Sequence, residues 1–377
     1  MKIAQSYWTE KAGWRTLDAG IPESDLVFYF YAPGLFETKT LWQDLRARYP
    51  SGHLVGCSTG GEILDRDVLD DALVVTAVRF EQSQVKTAMV TLGPGEDARD
   101  AGRRLAEKLP TAGLRAVFVL SDGIHVNGTA LVRGLIDCLG EGVTITGGLA
   151  GDGANFRSTA VGCDALPVSG QIVAVGLYGT ALSVSHGSVG GWDCFGPKRR
   201  VTRSAGNVLY ELDGEPALDL YRRYLGEEAE RLPGSALLFP LSIIAPEDPD
   251  SDVVRTVVGV DDQAKSMIFA GDIPEGASAQ LMRGHFDRLI DGSARAADAA
   301  KVSGGDLPRL ALLVSCIGRK LLLGERIGEE VEAVADSLGE GTKLVGFYSY
   351  GEISPHATSG RCELHNQTMT VTVLSED

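Results

Sequence analysis

The chain has 377 residues, 44% hydrophobic and 23% charged, which fits a folded protein of two or three domains and excludes a disordered chain. Its formal charge of −16 repels phosphate backbones and anionic lipid, so nucleic acid and membrane surfaces are poor partners. Glycine, at 47 residues, is roughly twice as common as usual and predicts many tight turns and close backbone approaches.

In chain order, the N-terminal MKIAQSYWTEKAGW lacks the apolar stretch of a secretory signal. The run LVFYFYAPG (26–34) predicts a buried strand. Leu41, Leu45 and Tyr49 then recur every four residues, a helical stripe. LVGCSTGGE (54–62) is a second buried strand ending in glycines, and ALVVTAVRF (72–80) and SQVKTAMVTL (83–92) follow as half-exposed strands. The same grammar returns in LRAVFVLSDG (114–123), the stripe Leu131, Leu135 and Leu139, VTITGGLAGD (143–152), QIVAVGLYG (171–179) and TALSVSHGSV (180–189). Residues 211–240, with DLYRRYL (219–225) inside, read as a charged helical connector, and RTVVGV (255–260) and SMIFAG (266–271) as strands. The grammar appears a third time in LALLVSCIG (310–318), the stripe Ile327, Val331, Val334 and Leu338, LVGFYSYGE (344–352) and NQTMTVTVLSE (366–376).

Strand–helix–strand of this length is a βαβ unit with parallel strands. The expected fold class is α/β: repeated βαβ units embedded in mixed sheets with antiparallel strands, arranged as two similar halves. The halves are expected at residues 1–215 and 216–377.

Strand C-termini of α/β sheets are where ligands collect, and the closing motifs lie there. Val-Gly-x-x-x-x-Gly-Glu-Ile occurs at 55–63 and again at 345–353, while the middle unit ends in Gly151-Asp152. The side chains on offer are Cys57, Ser58, Thr59 and Glu62, then Asp152 and Asn155 beside Gly148, then Tyr348, Ser349, Tyr350 and Glu352. That set suits a small polar or zwitterionic molecule. The plainer reading is that Gly-Glu turns the chain, the carboxylate capping local N–H groups. If the three units sit in separate sheets, each motif is expected to line its own cleft.

Nucleotide fingerprints of the GxxxxGK[ST] kind are absent. The cysteines at 57, 138, 163, 194, 316 and 362 form no CxxC pair, which fits a reducing cytoplasm and excludes a zinc-finger framework. Cys316 in SCIGR, with Arg319 three residues on, reads as a core thiol or as a nucleophile near a guanidinium. Ser58 in GCSTGG lacks the following helix that a hydrolase nucleophile needs. Of the histidines, His186 and His365 lie near strand ends and could hold a haem iron axially or serve as hydrogen-bonding loop residues. Lys198-Arg199-Arg200 reads as a solvated turn.

The motifs VGCSTGGEI (55–63), GGLAGDG (147–153), GDIPEGASAQLM (271–282), ALLVSCIGRKLLLG (311–324), GFYSYGEI (346–353) and LHNQTMTV (364–371), in this order, resemble those of the FIST domain proteins. The resemblance spans about Leu26 to Leu374 and includes GWDCFGPKRRVTRSAGNVLYELDGEPALDLYRRYLG (191–226). It implies a cytoplasmic signal-transduction sensor that binds an amino acid or related metabolite. Output would pass to a separate protein, such as a histidine kinase or a cyclic-dinucleotide enzyme. Stand-alone members of similar length imply a haem-based nitric-oxide sensor as an alternative. A further alternative is an enzyme using Cys316 or the Glu62 and Glu352 carboxylates. Cys316 and Arg319 thereby join the expected ligand-binding set.

Overall fold

Each βαβ unit forms the centre of one six-stranded sheet. The computed structural model describes all residues except 94, 141, 233, 248, 250, 251, 303–307 and 377. In the first unit, Leu26–Tyr31 and His53–Ser58 pair in parallel around helix Lys39–Arg48. In the second, Leu114–Ser121 and Thr144–Leu149 flank helix Gly128–Leu139. In the third, Arg309–Cys316 and Thr342–Ser349 flank helices Ile317–Leu323 and Ile327–Leu338. The predicted β-rich tails return antiparallel beside the first strand of each unit, as Ala72–Arg79, Gln171–Tyr178 and Met369–Glu376.

The close strand pairing explains one glycine that recurs in all three units. A Cβ at Gly56, Gly147 or Gly346 would lie 1.8, 1.9 or 2.0 Å from the carbonyl oxygen of Tyr29, Val119 or Leu313 on the neighbouring strand. Only glycine fits at these three equivalent places.

The other edge of each sheet is completed by a strand from another unit. Glu62–Leu64 leaves the first unit and pairs with Thr342–Ser349 of the third. Gly351–Pro355 leaves the third and pairs with Thr144–Leu149 of the second. Val161–Cys163 leaves the second and pairs with His53–Ser58 of the first. The exchange is cyclic and gives the three units pseudo-threefold symmetry. Two of the three six-stranded sheets therefore contain strands from both sides of residue 215.

Inserted before the third unit, between strand Leu182–Val189 and helix Phe286–Ala299, is a fourth, eight-stranded sheet with its own core of Leu209, Leu218, Tyr221, Met267 and Phe269. Residues 211–240 belong to it and are not the connector the sequence suggests. Helix Ala217–Leu225 buries Leu218, Tyr221 and Leu225 and turns its charges outward. Lys198, Arg199 and Arg200 likewise stand in the 14-residue strand Trp192–Ala205 and not in a turn, with Arg199 Nη1 3.1 Å from Asp213 Oδ2. Among the described residues, no helix is long and apolar enough to cross a membrane.

Candidate ligand site

The three glycine motifs lie in separate sheets, yet they do not line separate clefts. The guest strands of the first and third units leave directly after the motif and that of the second after the segment 153–160, and the exchange draws all three motifs to the pseudo-threefold axis. There they close a ring of backbone hydrogen bonds: Gly60 N donates to Tyr348 O (2.7 Å), Tyr350 N to Leu149 O (3.2 Å), and Gly151 N to Ser58 O (3.0 Å). The axis is packed: a Cβ at Gly151 would stand 3.0 Å from Gly60 N.

The carboxylates serve this ring. Glu62 is fully buried, accepting from Thr59 Oγ1 (2.5 Å) and Ala72 N (3.4 Å). Glu352 repeats the arrangement, accepting from Ser349 Oγ (2.7 Å), Thr368 Oγ1 (2.9 Å) and Thr368 N (3.1 Å). Burial lifts Glu62 to about 8 and Glu352 to about 7, against their hydrogen bonds, which favour the charged form. Asp152 accepts from Phe156 N (2.8 Å), Arg157 N (2.9 Å) and Ser158 N (2.9 Å), and from the Tyr350 hydroxyl. The geometry thus gives all three acids the capping role.

The other sequence candidates have similarly local roles. Ser58 Oγ accepts from Ala160 N (3.0 Å). Cys57 is fully buried in the core that joins the sheets, and burial pushes its thiol well up. Gly148 is a packing glycine, since its Cβ would meet Val314 Cγ1 at 2.5 Å. Exposed Asn155 donates to Asp152 O (2.8 Å). Arg319 is fully buried and bonds Glu330 Oε2 through Nε (3.0 Å) and Nη2 (2.8 Å), while Tyr348 donates to Glu330 Oε1 (2.9 Å). Arg319 also reaches Leu289 O (2.8 Å) and Gly190 O (2.5 Å), so it ties the third unit together and is spent on structure. Burial pushes the Cys316 thiol far up and the nearby Glu352 charge adds to this, the opposite of what a nucleophile needs.

Cys316 nonetheless marks a place where polar groups lack partners. It lies at the C-terminal end of strand Arg309–Cys316, where the fourth sheet covers the axis. The seam is a narrow cleft of about 20 Å³ lined by Cys316, Tyr350, Phe156, Asn366, Thr256 and Val258, among others. Asn366 is fully buried and neither its Oδ1 nor its Nδ2 has a hydrogen-bond partner. The buried Thr256 Oγ1 and Gln367 Oε1 are also unpartnered. Such groups are rare in folded proteins because each costs about 1–3 kcal/mol.

Backbone strain gathers at the same seam. Gln367 (φ 61°) and Phe156 (φ 52°) are left-handed although neither is glycine. Gln367 is held there by its Nε2 bond to Leu237 O (3.1 Å) and by its own carbonyl, which accepts from Trp192 Nε1 (2.8 Å). Phe156 stacks on Tyr350 at 4.5 Å between ring centroids. The sequence reading missed Asn366, Thr256 and Phe156. The one available signal was NQT (366–368), a polar triplet between two β-rich runs.

His186 lines a cavity of about 240 Å³, below the roughly 300–1,000 Å³ of organic ligand pockets. His365 is buried, its Nε2 3.0 Å from Ser354 O, and burial lowers it to about 3. The residues around these two histidines do not fit a haem.

The model of the FIST N domain matches residues 25–215, and that of the FIST C domain matches residues 217–355. An uncharacterized protein of Methanocaldococcus jannaschii is 23% identical over 328 residues, covering 78% of this chain. The chain spans about 60% of the length of that relative. The crystal structure of cyanuric acid hydrolase from A. caulinodans aligns over 94% of this chain and 91% of that one, with 10% identity and a TM-score of 0.38. With both of its halves matched, the chain belongs to the FIST family of signal-transduction sensor domains.

Proposed function

We propose that this chain is a sensor whose small ligand, an amino acid or related metabolite, binds in the seam between the pseudo-threefold axis and the fourth sheet. The observation that carries this reading is the fully buried Asn366 with no partner for its amide oxygen or nitrogen. A primary amide offers two donors and one acceptor, and the ligand it complements carries both an acceptor and a donor, as an amino acid does. Thr256 adds a hydroxyl from the facing sheet.

The cleft of about 20 Å³ holds about one water molecule, so an amino acid enters only when the fourth sheet moves off the axis. Ligand binding would then favour an arrangement in which the sheet is displaced, and this difference in affinity is the signal. The output would pass to a separate protein, for which a histidine kinase or a cyclic-dinucleotide enzyme is the family-based choice.

The test is a thermal-shift screen of the twenty proteinogenic amino acids against the wild type and a Thr256→Val, Asn366→Leu double variant. At least one amino acid should raise the wild-type melting temperature, and none should raise that of the variant. A shift retained in the variant would place the ligand elsewhere. A wild type unmoved by every amino acid would remove this ligand class.

A further inference from the structure

A larger cavity, about 390 Å³, opens on the other side of the same segment of the fourth sheet. It lies between helix Gly128–Leu139, strand Asp252–Arg255 and strand Cys362–His365, and its volume is that of a small-molecule pocket. Arg255 stands on its wall, only 4% exposed. Its guanidinium donates to three carbonyls: Nε to Asp272 O (3.1 Å), and Nη1 to Val254 O (3.2 Å) and Leu364 O (2.9 Å). Among the described residues it forms no ion pair, and Nη2 has no partner. Burial disfavours its charge, Glu363 and Asp272 support it from beyond ion-pair distance, and with Nε and Nη1 held by carbonyls the guanidinium has Nη2 left to donate to an oxyanion.

Exposed Arg133, on the helix across the cavity, likewise forms no ion pair among the described residues. Asp137, Glu247, Asp272 and Glu363 share the wall with Arg99 and Arg361, and four acids against four arginines disfavour a dianion while leaving room for a single negative charge. We infer that this cavity is a second binding site, for a small monocarboxylate whose carboxylate is held by Arg255 and steered by Arg133. The site does not depend on the seam. Arg255 and Thr256 are consecutive and reach opposite sides of one segment, so both sites act on the same piece of the fourth sheet.

The test uses the full chain and titration calorimetry with three probes: propionate, its neutral isostere propionamide, and inorganic phosphate. Propionate should bind and the other two should not. Arg255→Met should weaken propionate at least ~10-fold, the loss of a charge-assisted hydrogen bond. Arg133→Gln, an exposed change that leaves the core intact, should weaken it by a smaller factor and carries the test if Arg255→Met fails to fold. Equal binding of propionamide, tighter binding of phosphate, no binding of propionate, or full affinity in Arg133→Gln and Arg255→Met would each overturn the proposal. Asn366→Leu should leave propionate binding unchanged, which separates this site from the seam.

Discussion

The axis and the seam are neighbours built from different segments, and they differ in how their polar groups are satisfied. At the axis, three motifs close a ring of backbone bonds, and each acid holds local hydroxyl or N–H groups. At the seam, at Asn366 and Gln367 and at Thr256 of the fourth sheet, a buried amide, a hydroxyl and a second amide oxygen lack partners. The contrast separates scaffold from site. The residues that look most chemical in the sequence are spent on holding the ring, and the unspent hydrogen-bonding capacity lies beside it.

Breaking the scaffold should have the largest effects. Arg319→Met leaves Glu330 as a lone buried charge and should cost about 3–5 kcal/mol in urea unfolding. Gly56→Ala and Gly346→Ala force a Cβ against the Tyr29 and Leu313 carbonyls and should each cost about 1–3 kcal/mol or more, and Gly147→Ala, whose φ of 139° adds backbone strain to the same clash with Val119, should cost more. Costs that differ widely between Gly56 and Gly346 would contradict the pseudo-threefold equivalence.

The axis also predicts a pH dependence. Glu62 and Glu352 titrate at about 8 and about 7 when folded, against 4.5 for an ordinary glutamate. The folded state therefore holds their protons more tightly than the unfolded chain. Their contribution is fully present below about pH 4.5 and is lost as the pH rises through 7 to 8. Unfolding free energy should fall over that window, and a Glu62→Gln, Glu352→Gln double variant should flatten the fall. An unchanged slope in the variant would assign the dependence to other groups.

Much of the scaffold was legible because it is written in local periodicity. The apolar runs ending at Tyr31, Ser121 and Cys316 and the leucine stripes of the crossover helices need no long-range information. The cyclic exchange was not legible, because guest strands such as Glu62–Leu64 and Val161–Cys163 are only three residues long and pair across the chain. The seam was hidden for a different reason. Asn366 and Gln367 read as the start of a strand that begins only at Met369, since the left-handed Gln367 breaks it. Arg255 in an alternating run reads as an outward charge, yet the neighbouring domain buries it.

The smallest change should be the most telling. Asn366→Leu replaces a buried, unpartnered amide with an apolar side chain of similar size. Urea unfolding of this single variant beside the wild type tests the central claim that the seam holds unspent capacity for a ligand. The variant should be more stable by about 1 kcal/mol, the relief of an unsatisfied buried group, while losing any amino-acid-induced thermal shift. A variant less stable than the wild type that keeps the ligand response would show that Asn366 is part of the scaffold, and would contradict the account.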